Sequence, residues 1–222
     1  SEYAGKEGWK PIEPGDVCWE DINGDNKING LDREVVGNIF PKVTGGFSST
    51  LSWKGISLYA RFDYALGHTL YNDLAARTLG QYQGAFNIIT EVKDMWSEDN
   101  PNSDLPAFYY ADQLAKKNIT RSNNASASRH NNSSRLYEKA DYLALRELTL
   151  SWDLPKAWTS KAFIQNASVY VTGQNLFYVT GYTGTSPEPV LTNSDNNENL
   201  YGVDQGRYPT PRTVLFGLSV TF

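Results

Sequence analysis

The sequence predicts an all-β chain, and within that class the strands of a transmembrane antiparallel β-barrel with long extracellular loops. Three observations predict it. Segments with strict apolar–polar alternation recur along the chain, the connections between them alternate short and long, and the last such segment ends the chain on Phe222. Alternation needs only one apolar face, so by itself it suits a soluble sandwich as well as a barrel. The other two observations favour the barrel. Soluble domains usually trail off in polar residues and rarely use structureless connections beyond about 15 residues, whereas outer-membrane barrels pair short periplasmic turns with long outer loops.

The first strand sets Phe47, Leu51 and Trp53 against Ser48, Thr50 and Ser52. Lys54-Gly55 is a two-residue hairpin turn. The second strand, Ile56 to Leu66, is the clearest: Ile56, Leu58, Ala60, Phe62, Tyr64 and Leu66 oppose Ser57, Tyr59, Arg61, Asp63 and Ala65. A long connection from Gly67 to about Asp141 follows, rich in Asn and Ser between Trp96 and Arg135, with short helical turns expected at Asn72 to Leu79, Asn87 to Trp96 and Ala111 to Lys117. The third strand opposes Leu148, Leu150 and Trp152 to Glu147, Thr149 and Ser151. After a modest link, Asp153 to Ala167, the fourth sets Val169 and Val171 against Ser168, Tyr170 and Thr172. Val179 to Pro211 is the second long connection, and the fifth strand places Val214, Phe216, Leu218, Val220 and Phe222 on one face. Each segment extends to about 9–11 residues, the length of a tilted membrane-spanning strand. With Phe222 on the periplasmic side, both short turns lie in the periplasm and both long loops outside.

Composition agrees. The 222 residues include 14 Tyr, 6 Trp, 9 Phe and 18 Gly but a single Met and a single Cys. No apolar run reaches the roughly 20 residues of a spanning helix, and a negative mean hydropathy is uninformative for a barrel, whose lumen-facing positions dilute it. A net charge of −5 excludes a nucleic-acid partner, which would need clustered Lys and Arg; the only adjacent basic pair is Lys116-Lys117. Cys18 has no partner for an intrachain disulfide.

One motif carries metal chemistry. Asp21, Asn23, Asp25, Asn29 and Asp32 occupy positions 1, 3, 5, 9 and 12 of a twelve-residue loop, with the Lys27 carbonyl at position 7, the oxygen spacing of a calcium loop. Asn26 replaces the usual Gly at position 6, and Asp32 is shorter than the usual bidentate Glu. An Asx-rich turn held by its own backbone fits the same residues. Catalysis has no comparable motif. The two histidines, His68 and His130, lack a second ligand at zinc spacing, no Gly-x-Ser-x-Gly elbow occurs, and no pair of carboxylates is singled out. The chain is read as a non-enzyme with no organic cofactor. Arg61 and Asp63, on the polar face of the second strand, would line a barrel lumen and meet a plug or solute. Trp53 and Trp152 suit an interfacial aromatic girdle.

Several stretches together resemble one family. GDVCWEDINGD from Gly15 to Asp25 with Asp32-Arg33 and Ile39-Phe40-Pro41, YLALRELTL from Tyr142, VYVTGQNLF from Val169, YTGTSPE from Tyr182, and GVDQGRYP from Gly202 with Arg212-Thr213 and Phe222 are similar, in order, to the C-terminal portion of SusC/RagA-type TonB-dependent outer-membrane transporters. The resemblance implies the final strands of a plugged barrel of about 22 strands, with plug and earlier strands upstream of Ser1. It divides the chain into an extracellular loop region over 1–42 and barrel strands and loops over 43–222. It implies a SusD-like surface lipoprotein and the TonB–ExbB–ExbD system as partners, outer-membrane lipid around the wall, and import of glycan fragments or, in some members, peptides. Phe222 looks like the family's assembly signal. Trp96, Tyr109, Tyr110 and Tyr201, on the long loops, join Arg61 and Asp63 as candidates for contact with cargo. The rival from a different class is a soluble, calcium-dependent β-sandwich binding module.

Overall fold

The computed structural model describes residues 14–15, 20–26, 31–76, 78–79, 89–107, 134–189 and 201–222. The chain forms two compact units. One comprises Asn38–Leu70, Glu138–Gly202 and Arg207–Phe222, the other Ser1–Gly37, Tyr71–Tyr137 and Val203–Gly206.

The first unit is built on one antiparallel sheet of five strands: β1 (Val43–Trp53), β2 (Ile56–Leu66), β5 (Tyr142–Asp153), β6 (Asn166–Thr180) and β8 (Thr213–Thr221), in that spatial order. All five expected strands are present, and β2 has the expected bounds. β1, β5 and β6 run past their clearest alternation, to 11, 12 and 15 residues, because strand pairing continues where side-chain contrast fades, and β8, of 9 residues, ends one residue before Phe222. Lys54 and Gly55 both have positive φ, 48° and 83°. That is the turn geometry whose twist matches the flanking strands.

Register sorts the side chains into two faces. Phe47, Leu51 and Trp53 of β1 share a face with Ile56, Leu58 and Phe62 of β2, Leu148, Leu150 and Trp152 of β5, Val169, Val171, Phe177 and Val179 of β6, and Val214, Phe216 and Leu218 of β8. Most of these large apolar side chains are exposed. Leaving each in water costs about 1.5–3 kcal/mol relative to burial, so the face requires an apolar surrounding. A sandwich would have buried it. The opposite face carries Tyr59, Arg61 and Asp63, then Glu147, Thr149 and Ser151, then Tyr170, Thr172 and Gln174. Its hydroxyls pair across strands, as between Thr149 and Thr172 at 2.8 Å.

Two irregularities in β5 and β6 were not anticipated from the sequence. Between Leu145 and Glu147 the register slips, leaving Arg146 as an extra residue against β2. Such a bulge reverses the alternation. Leu143 and Leu145 face the apolar side at odd positions, and Leu148, Leu150 and Trp152 continue there at even ones. In β6, Asn175 takes up the complementary kink with φ 52°.

In the second unit, Tyr71 and Asn72, at the end of β3 (Thr69–Asn72), pair in parallel with β7 (Val203–Asp204); β4 (Tyr137–Lys139) belongs to the same small sheet. This sheet falls in segments read from the sequence as loop. Strands this short carry too few residues for a period-two signal. The helical turn expected at Asn72 to Leu79 is found as α1 (Asp73–Ala76), where the Asn72 side chain accepts the Ala75 N–H at 2.9 Å, and as π-helical backbone at Thr78 and Leu79. The turn expected at Asn87 to Trp96 is a five-residue 3-10 helix, Thr90–Asp94; the one at Ala111 to Lys117 lies outside the described residues.

Candidate functional site

The polar face gathers its charge around Arg146. Because the bulge adds a residue, the Arg146 side chain emerges on the same face as Asp63 of β2. Its Nε donates to Asp63 Oδ1 and its Nη2 to Asp63 Oδ2 at 3.0 Å. Nη2 also donates to Glu188 Oε1, and Nη1 donates at 2.9 Å to the Tyr178 hydroxyl, which in turn donates a hydrogen bond to Glu188 Oε1 at 2.9 Å. The Tyr142 hydroxyl lies 3.4 Å from Asp63 Oδ2. The guanidinium carbon stands 5.3 Å from the Tyr178 ring centroid and 6.0 Å from that of Tyr142, and the two rings meet edge to face at 5.7 Å. One cation is thus shared by two carboxylates and flanked by two aromatic faces. The cluster is partly open: the Arg146 side chain is 17% exposed, Asp63 33% and Glu188 28%.

Glu188 comes from the segment that follows β6. The chain leaves β6 at Thr180, packs the buried Tyr182 against Leu70 and Ala140, and is pinned again where Glu138 accepts Thr183 N–H and hydroxyl at 2.9 and 2.8 Å. Further on, the Pro187 carbonyl lies 2.8 Å from Nε2 of His68, a residue only 1% exposed. A carbonyl can only accept, so Nε2 carries the proton. Arg207 donates to the Glu188 carbonyl at 2.9 Å. Residues 181–188 therefore form a strap pinned at Tyr182, Thr183, Pro187 and the Glu188 carbonyl by residues beyond the ends of the five-stranded sheet, and the Glu188 side chain joins it to the polar face in the Arg146 cluster.

The candidates named from sequence fare differently. Asp63 enters the cluster, while Arg61 is exposed opposite Glu147 across the β2–β5 pair. Arg146, Glu188, Tyr142 and Tyr178 were missed, although the shift of leucines from odd to even positions around Arg146 was a readable signal. Trp96 belongs to the second unit and is half-buried. Its ring fills the space over Gly15, where a Cβ would collide with it, and its backbone N–H bonds Leu105 at 3.0 Å. That is a packing role. Tyr201 is half-exposed, and Tyr109 and Tyr110 lie outside the described residues. Phe222 follows β8 and is 80% exposed. A hollow of about 560 Å³, lined by Val43, Tyr64, Leu66, Leu143 and Val179 together with Asp141 and Tyr142, lies beside these strands and shares Tyr142 with the Arg146 cluster.

In the loop over 21–32, Asp21 Oδ1 accepts the N–H groups of Gly24 and Asp25 at 2.8 and 3.2 Å, and Oδ2 that of Asn26 at 2.6 Å. Asp32 accepts the Ile22 N–H at 3.1 Å. Asn26 sits at φ 61°, the left-handed turn usually given to Gly. Lys27 and Asn29 lie outside the described residues. Among the described residues no three His, Cys, Asp or Glu side chains converge as metal ligands, and the acceptor oxygens of Asp21 already serve backbone donors.

No family model matches the chain. It is 30% identical over 213 residues to TonB-dependent receptor P3 of Formosa agariphila, a stretch that makes up 95% of this chain and 19% of that protein. TonB-dependent receptor P26 of the same organism is also 30% identical, over 96% of this chain and 20% of its own length. Among solved structures, the RagAB peptide transporter superposes with a TM-score of 0.60 at 28% identity, over 83% of this chain and 17% of that one. The RagAB peptide importer in its closed-closed state gives 0.61 at 26% identity, over 85% and 18%. The chain spans about a fifth of the length of the relatives it matches.

Proposed function

The chain belongs to the SusC/RagA-type TonB-dependent outer-membrane transporters and carries part of their barrel wall, and we propose that it supplies the C-terminal strands through which such a transporter imports nutrient oligomers. The observation that carries this reading is the pair of faces on one sheet: a continuous exposed apolar face for lipid, and a polar face bearing the Arg146 cluster for the lumen. An open five-stranded sheet leaves two unpaired edges, which lipid cannot satisfy, so the wall works only within a complete barrel.

In this reading the strap over 181–188 lies on the lumen side, and Arg146 fixes its end where solute or plug passes. The role is non-enzymatic, in keeping with relatives named as receptors and transporters. A SusD-like lipoprotein would cap the outer mouth, and TonB with ExbB and ExbD would supply energy. Family resemblance favours glycan fragments as cargo. A peptide cargo is the second reading, favoured because both solved relatives are described as peptide transporters. The test is uptake by cells expressing the full-length transporter or lacking it, given labelled oligosaccharides and labelled peptides. Loss of oligosaccharide uptake alone supports the first reading, and loss of peptide uptake alone the second. Unchanged uptake of both would overturn import.

A further inference from the structure

We propose that the short link between β5 and β6 forms, with the β1–β2 turn, an anionic phospholipid headgroup site at the membrane rim. The link contains α2 (Lys156–Thr159) and a following 3-10 turn, Ser160–Ala162. Ile56 beside the β1–β2 turn pairs with Trp152 at the end of β5, and Gly55 accepts the Asp153 N–H at 2.8 Å, so turn and link share one end of the sheet. Trp152 belongs to the apolar face, and Trp158 packs edge to face against it with centroids 5.8 Å apart. That contact places α2 on the lipid side of the rim.

The link presents two large aromatics outward: Trp158 is 60% exposed and Phe163 is 92% exposed. Phe163 also holds a left-handed backbone conformation, φ 59° and ψ 24°. A helix end of this kind normally takes Gly, and a bulky residue there is an outlier. Aromatic side chains of this type settle at the boundary between acyl chains and headgroups.

Charge identifies the occupant. The turn and link carry Lys54, Lys156 and Lys161 against a single acid, Asp153, which alternation places on the opposite, polar face. This is a local positive excess in a chain whose net charge is −5. The Lys54 ammonium already lies 4.7 Å from the Trp53 ring centroid on the apolar side. Exposed aromatics and lysines carried on the same turn and link match a lipid phosphate bearing net negative charge, and each lysine near such a surface contributes about five-fold in affinity. The inference rests on the barrel reading above, with this end of the sheet in the periplasmic leaflet.

The experiment uses the full-length transporter in detergent, titrated with phosphatidylglycerol or phosphatidylethanolamine, with retained lipid counted by native mass spectrometry. Wild type is expected to retain phosphatidylglycerol preferentially. The triple variant Lys54→Gln, Lys156→Gln, Lys161→Gln is expected to lose that preference by about tenfold or more while still migrating as a folded barrel. A photoreactive benzoylphenylalanine in place of Phe163 is expected to crosslink to lipid in cells. An unchanged preference in the triple variant, or a crosslink to protein in place of lipid, overturns the site. Absence of the wild-type protein from the outer-membrane fraction would instead overturn the barrel reading beneath it.

Discussion

Arg146 concentrates the chemistry of the polar face because it answers two carboxylates from different parts of the chain, one on β2 and one on the strap. Its removal leaves Asp63 and Glu188 facing each other without a cation, so Arg146→Met should destabilise the wall by about 1–3 kcal/mol, read as a lower midpoint of thermal unfolding of the full-length barrel. Glu188→Gln keeps the shape and one acceptor oxygen but loses the charge. It should loosen the strap selectively: hydrogen exchange over 181–188 is expected to rise about tenfold, the equivalent of about 1.4 kcal/mol, while β5 and β2 keep their protection. Equal loss of protection in all three segments would mean that the cluster holds the sheet and not the strap.

Among the elements, the β1–β2 hairpin depends on its two-residue turn. Lys54 sits at positive φ without the local hydrogen bonding that lets Asn tolerate it. Lys54→Asn should therefore stabilise the hairpin slightly, and Gly55→Val should destabilise it by about 1–2 kcal/mol, measured by refolding the full-length barrel into detergent micelles. The Asp21 loop offers a separate prediction. If the oxygen spacing serves calcium as proposed, calorimetry on the wild-type transporter should show Ca²⁺ binding that Asp21→Ala with Asp25→Ala abolishes. No heat in the wild type would leave Asp21 as the acceptor of an Asx turn, its contacts to Gly24, Asp25 and Asn26 being sufficient reason for the residue.

At the scale of the whole molecule, the exposed apolar face and the unpaired sheet edges predict that this chain expressed alone is insoluble without detergent. A soluble, cooperatively folding monomer would contradict the barrel. Deleting residues 97–135 removes no strand of the five-stranded sheet, so the full-length variant should still reach the membrane and migrate as a folded barrel while losing cargo or lipoprotein binding. Loss of assembly on that deletion, with assembly surviving removal of Phe222, would place the topology in error.

Sequence alone determined the five strands, their hairpin turn and the sorting of β1, β2 and β8 into an apolar and a polar face. Period-two alternation is a local property, and each strand writes it in its own residues. It also carried the family resemblance, through motifs each contained in a short stretch. Tertiary structure decided the rest. The small sheet of β3, β4 and β7 is assembled by pairing between residues as distant as Tyr71 and Val203, which no local pattern records. The Arg146 cluster arises because a single inserted residue in β5 turns a basic side chain towards an acid more than eighty positions earlier and another more than forty later. Long side chains meet across strands only once register is set, and register is a property of the paired sheet.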